Sequence, residues 1–382
     1  MLLLLAVSGF WCAGTLSAQQ YNGAEKPQRE EAGGYLPQFF GTIKMKFETS
    51  TVNGDFRFNL RHTRFGVQGS VTKNIQYRMQ VDFSNEGRLT FLDAYGIYKY
   101  GNFELSLGQQ AYDFSTDMSR APGANIFANY SFLAMYMTTY PEQTLAGTGV
   151  EGRVMALGAR DLGAQARYTI MREGFPLTFS LGAFNGSGIN APVWSNSINI
   201  ANRISAGRSD GFGFAASYYN GYTPKTTRVR FAGPLSGYTV DAMKYKLEMA
   251  GVELRYGKDN FRIEAEYAQQ RLRYDGLKIL SAAHVFGYYR FWLPNSQINY
   301  IAPTARFDMI NNLCVSNTLT RGINTLDAQR ITLGANLGFM RKFTGTELRF
   351  NYEKYFISDK PSDFHGNHQL HDKFTVEVIA SF

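Results

Sequence analysis

The residues of this chain whose type and spacing promise chemistry are arginines. Arg57, Arg61 and Arg64 lie close together, and Arg78 follows on the next alternating segment. A guanidinium stays charged at any physiological pH and presents a planar fork of N–H donors suited to carboxylates, phosphates and other oxyanions. Asp93 and Arg120 are further candidates to line the same surface. His365, His368 and His371 form a second group, with Asp363 and Asp372 nearby. Imidazoles at that density can bind zinc, copper or nickel. Gly366 and Asn367 between them favour an irregular, solvated loop over a ligating helix face. There is no phosphate-cradling glycine loop, no Gly-x-Ser-x-Gly elbow and no His-Glu-x-x-His pair. His62 and His284 fall on strand-like text, and nothing sets a serine beside either. Neither an enzyme nor a cofactor is expected.

What positions the arginines is a strand pattern. In the last ten residues Phe374, Val376, Val378, Ala380 and Phe382 alternate with Lys373, Thr375, Glu377, Ile379 and Ser381. A period of two gives one apolar and one mostly polar face, over the length of a transmembrane β-strand. Taken alone, the segment also fits the edge of a soluble sandwich. The connections decide. Short turns are bracketed by aromatics, as in Tyr98-Lys-Tyr-Gly-Asn-Phe103, Tyr256-Gly-Lys-Asp-Asn-Phe261 and Phe339-Met-Arg-Lys-Phe343. Long polar connections fall at about 111–148, 186–210, 220–243, 309–327 and 356–371. Aromatic rings at strand ends suit membrane interfaces, and short turns alternating with long loops are the two ends of an outer-membrane barrel. Long helical patterns and fixed-period repeats are absent. The expected fold is all-β: one transmembrane antiparallel barrel of about sixteen strands.

Composition agrees. The chain has 382 residues, formal net charge +8, 15% aromatics and 38 glycines, with a mean hydropathy of −0.26. No apolar run beyond the amino terminus is long enough for a membrane helix. Leu2 to Ala13 is a short apolar core followed by Thr15-Leu-Ser-Ala18, which reads as a secretory signal peptide over residues 1–18. No Lys or Arg precedes that core, and Phe10-Trp11 before Cys12 argue against a lipoprotein. Residues 19–34 are polar and aperiodic, a flexible periplasmic lead-in, and residues 35–382 form the barrel. Cys314 is then the sole cysteine, so no intramolecular disulfide can form. The positive charge is spread over lumen and turns rather than one exposed patch, which does not suit nucleic acid.

Alternation also assigns faces. Phe56, Phe58 and Leu60 sit opposite Arg57 and Arg61, whereas Phe65, Val67 and Val71 are in the other phase. The change of phase predicts a bulge near His62-Thr63 and turns Arg64 inward too. Ile75, Tyr77, Met79, Val81 and Phe83 face lipid, leaving Arg78 and Asp82 inside. Arg255, Arg262, Arg330 and Arg349 point inward by the same rule. A lipid-facing charge costs about 2–4 kcal/mol at the bilayer midplane, so any water-filled barrel puts its charges inside. There Asp82, Glu104, Glu253, Glu264 or Glu347 can pair with them. Few acids adjoin Arg57, Arg61, Arg64 and Arg78 in sequence, and concentrated like charge would raise local anion concentration.

The text from 54 to 114 has a characteristic order. Gly-Asp-Phe-Arg-Phe-Asn-Leu-Arg-His-Thr-Arg-Phe-Gly-Val-Gln-Gly comes first, then Tyr77-Arg-Met-Gln-Val-Asp-Phe83, Phe91-Leu-Asp-Ala-Tyr95 and Leu107-Gly-Gln-Gln110. It resembles the phosphate-selective porin O/P family. Weaker echoes are Gly182-Ala-Phe-Asn-Gly186, Pro303-Thr-Ala-Arg-Phe-Asp308 and Ile331-Thr-Leu-Gly-Ala-Asn336. The resemblance implies a sixteen-stranded trimeric outer-membrane porin of a Gram-negative bacterium, with an Arg/Lys-lined eyelet narrowed by its third loop. It also implies that the assembly machinery reads the terminal Phe382. One feature departs from the family. The matching loop, Ala111 to Gly149, holds Arg120 as its single basic residue, beside Asp113, Asp117 and Glu142. Its apolar centre, Ile126 to Met137, either packs on the wall or gives the pore a greasy lining.

The expected function is passive diffusion of small hydrophilic solutes, leaning towards anions, with phosphate or another inorganic anion as the implied solute. The alternatives are a general or sugar-selective channel whose arginines pair with acids, and a plugged barrel for surface display.

Overall fold

A computed structural model describes residues 35–85, 88–146, 149–172, 175–208, 210–233, 237–274, 276–294, 296–316, 322–340, 345–358 and 370–382. The signal peptide, the lead-in, His365 and His368 lie outside the described residues. In chain order the first strands are β1 (Gln38–Ser50), β2 (Phe56–Ser70), β3 (Ile75–Asn85), β4 (Arg88–Tyr100) and β5 (Phe103–Ala111). Two short helices follow, α1 (Thr116–Ser119) and α2 (Phe132–Tyr136), and then a hairpin of β6 (Thr139–Ala146) and β7 (Gly149–Ala156). The wall resumes with β8 (Arg160–Arg172), β9 (Phe175–Phe184), β10 (Asn199–Gly207) and β11 (Phe212–Tyr222). A second hairpin, β12 (Thr226–Gly233) with β13 (Gly237–Met243), precedes β14 (Lys246–Lys258), β15 (Phe261–Arg273) and β16 (Leu277–Tyr289). The two-residue β17 (Phe291–Trp292) leads to β18 (Tyr300–Ser316), β19 (Ile323–Met340), β20 (Gly345–Ser358) and β21 (Lys373–Ser381).

Setting aside the two hairpins and β17, each strand pairs antiparallel with the next, and β21 pairs with β1 to close a barrel of sixteen strands. Closure removes the free edges that lipid could not satisfy. Gly41 and Phe382 exchange backbone hydrogen bonds of 2.9 and 3.1 Å at the seam. The period of two holds all round. Ile43, Met45, Phe58, Leu60, Met79, Leu181, Leu254 and Leu333 are exposed on the outer face. Tyr98, Tyr100, Tyr256, Phe261, Tyr289 and Phe291 are exposed beside the short turns, at the depth of an interfacial girdle. Among the described residues no helix is long and apolar enough to cross a membrane.

Two long connections are shorter than alternation suggested. Asn199–Gly207 is wall, not loop, because its small residues Ala201, Ser205 and Ala206 weaken the alternating signal. Strands β18 and β19 run to Ser316 and from Ile323. A register shift between Ile310 and Leu313, with Asn312 at φ 58°, interrupts their period.

Candidate functional site

The connection from β5 to β8 turns into the barrel, and it continues past Gly149 as far as Ala159. Ser115 caps α1 by accepting from the Met118 N–H, and Ser131 caps α2 by accepting from the Ala134 N–H. Such short helices need tertiary support. Polar wall residues supply it. Glu253 accepts from the Thr116 N–H and hydroxyl at 3.0 and 2.6 Å. Asp308 accepts from the Phe132 N–H at 3.1 Å, and Asn351 from the Ala128 N–H at 2.7 Å. Arg306 and Arg330 donate to the Asn129 and Tyr130 carbonyls at 2.9 and 2.7 Å. Apolar packing completes the anchorage. Phe127 meets Phe286 edge to face at 5.7 Å. Phe132, Leu133 and Met137 share one buried cluster with Leu247, Met249 and Ile310. The apolar centre of this segment therefore packs on the wall rather than greasing a pore.

The expected bulge in β2 is real and lies one residue earlier than predicted. Lys44 faces His62, Met45 faces Leu60, and Arg61 is the extra residue between them. The bulge lets Arg57, Arg61, His62 and Arg64 all face inward. The expectation that few acids adjoin the arginines fails, because register brings carboxylates from neighbouring strands. Arg57 Nε donates to Glu48 at 2.7 Å, Arg64 Nε donates to Asp82 at 3.0 Å, and Arg78 lies 3.6 Å from Asp93. Asp93 also accepts from Arg160 at 2.8 Å. Arg120 binds Asp117 and Glu264 within the loop anchorage and stacks 5.3 Å from Phe286, which leaves it little access to solute. Arg61 differs. Among the described residues it forms no ion pair or hydrogen bond, and its guanidinium lies 5.7 Å from the Tyr130 ring centre. Tyr130 is fixed in turn by a 3.0 Å bond from its hydroxyl to His62, which leans on Asp82 at 3.2 Å.

Alternation in β1, with Lys44, Lys46 and Glu48 between Ile43, Met45 and Phe47, marks further inward charges that the arginine-centred reading passed over. Lys46 donates to Glu48 at 2.7 Å and to Asn129 at 2.6 Å. Lys44 pairs with Glu377 at 3.1 Å, both fully buried. A buried network of Asp308, Arg330 and Glu353 spans β18 to β20, with N–O distances of 2.8 and 3.2 Å. Only the register of three strands discloses it. Arg262 and Arg349 are likewise buried in pairs with Glu264 and Glu347, and Arg255 borders a second recess beside Glu253. Asp113 is held by two bonds from Arg167, at 2.6 and 2.9 Å. Burial alone would raise its pKa, but the guanidinium outweighs that and keeps it below the usual carboxylate range. Of the three clustered histidines His371 alone is described, and no group of three or more His, Cys, Asp or Glu among the described residues is placed to hold a metal.

A recess opens between the inner wall and the loop, lined by Lys46, Arg57, Arg61, Tyr130, Tyr136 and Lys373 among others. A closed barrel with a lipid-facing apolar band, an aromatic girdle and a charged lumen narrowed by an inward loop is an outer-membrane channel of the Gram-negative type. The family model for phosphate-selective porin O and P matches residues 32–292, and the chain belongs to that family. No curated protein matches the sequence. Among solved structures the chain is similar to the anion-selective porin from Comamonas acidovorans, at 11% identity and a TM-score of 0.56 over 91% of this chain and 98% of that one. It is also similar to Salmonella typhi OmpF in complex with daunomycin, at 16% identity and a TM-score of 0.57 over 91% and 98%. Pseudomonas putida OprB gives 8% identity and a TM-score of 0.56 over 91% and 94%. At these identities the likeness is one of fold.

Proposed function

We propose that this protein is a passive diffusion channel with a preference for small anions, and that it performs no covalent chemistry. The observation that carries this reading is the charge around the recess. Lys46, Arg57, Arg61, Arg330 and Lys373 line it, against Glu48 as the one carboxylate among its lining residues. In a narrow lumen with low-dielectric walls, such an excess raises the local anion concentration. Inorganic phosphate is the solute suggested by the family name. Assembly as a homotrimer is supported by the similarity to OmpT of Vibrio cholerae in its trimer form, at 14% identity and a TM-score of 0.51. Residues 1–18 would direct export, and Phe382 would present the terminal strand to the assembly machinery. The test is the zero-current potential of the purified protein in a planar bilayer under a KCl gradient. An anion-selective value supports the proposal, and a cation-selective or neutral one rejects it. The extensive packing of the 112–159 segment favours a second reading, a plugged barrel for surface display, and absence of any current would select it.

A further inference from the structure

We propose that the recess beside Arg61 is a binding site for organic monocarboxylates that carry a flat ring. The inference rests on the channel reading above and narrows its solute class. Lys46 and Arg57 share Glu48, and Arg330 is held by Asp308 and Glu353. Arg61, half-buried on its bulge, keeps its fork of donors uncommitted. One guanidinium fork matches one carboxylate through two parallel hydrogen bonds. A doubly charged phosphate would bring more oxygens and a tighter hydration shell than this single fork can replace.

The rest of the recess is aromatic and apolar: Tyr130, Phe132, Met135, Tyr136 and Tyr355. The Tyr130 ring stands beside Arg61 and cannot swing away, because His62 holds its hydroxyl. An aromatic face next to a cation suits a solute with a flat body and one charged end, since ring contacts favour the body while the fork orients the carboxylate.

The experiment uses the purified full chain in planar bilayers, with benzoate, acetate and inorganic phosphate each added to a KCl current. Half-block by benzoate is expected at a concentration about tenfold below that needed for acetate or phosphate, a difference of about 1.4 kcal/mol. Arg61→Gln should abolish benzoate block. Arg61→Lys, which keeps the charge and loses the fork, should retain anion selectivity but weaken benzoate block about tenfold. Acetate or phosphate blocking as well as benzoate, or Arg61→Gln blocking like the parent, overturns the inference. In each of those cases an anion-selective reversal potential leaves the channel reading standing. A neutral or cation-selective potential rejects that reading separately.

Discussion

Two walls of the same lumen carry opposite chemistry. On β1 to β3 and β19 to β21 the inward residues include Lys44, Lys46, Glu48, His62, Arg64, Asp82, Arg330 and Glu377. On β14 to β18, near the ends that meet the long connections, they include Leu247, Met249, Ala268, Leu272, Leu280 and Ile310. Strand geometry is the same in both. What differs is the neighbour. The apolar wall holds the inward segment through Leu133 and Met137. The charged wall borders the recess. An inner barrel face thus takes its polarity from what it touches, loop or water, and the loop sets the recess to one side of the lumen.

The largest effect is expected where charge is buried. Arg330→Met leaves Asp308 and Glu353 without their cation and should cost about 3–5 kcal/mol, read as a lower temperature of conversion from folded to unfolded band in gel electrophoresis. A change within error would mean that water reaches this network and that the two walls differ less than described. Leu133→Ala removes the loop's grip on the apolar wall, at about 2–5 kcal/mol. Single-channel conductance should rise with it as the segment loosens, and unchanged conductance would show that this packing does not restrict the path. Arg61→Glu should shift the reversal potential towards cations while altering stability by less than about 0.5 kcal/mol, since no partner is lost. A large stability loss there would place Arg61 in the folded network instead. The smallest effect concerns pH. The depressed Asp113 carboxyl contributes stability that is complete above its unfolded-state pKa and is lost as pH falls through its lower folded-state value. Asp113→Asn should therefore flatten the acid limb of a thermal-stability profile, and leave its shape from pH 5 to 8 unchanged.

Much of this was legible in the sequence. Outward residues such as Met79, Val81 and Phe83 must meet lipid, and their period of two fixes both the strand and its inward partners Arg78 and Asp82. Aromatics such as Tyr256 and Phe261 mark one end of the wall. The bulge showed as a change of phase, although its position was off by one residue because Arg61 and His62 are both polar. Pairing was not legible. Glu48 and Arg57 meet across a turn, and Asp308, Arg330 and Glu353 meet across three strands, so their charges cancel only once register is known. The apolar inner wall was also hidden. Residues such as Leu247 and Met249 alternate as a lipid-facing set would, and only the packed segment reveals which way they point.

The bulge has an evolutionary consequence. Arg61 and His62 stand opposite the single residue Lys44, while Leu60 already faces Met45. Excising Arg61 would leave Leu60 and His62 in regular register, with every neighbour on its present face. The arginine behaves as an insertion carried by an otherwise intact ladder. A substitution must surrender some residue's place to introduce charge, but this cation displaced none. Selectivity at this point in the wall could therefore be gained or discarded by a single codon insertion or deletion, without touching the residues that keep the barrel in the membrane.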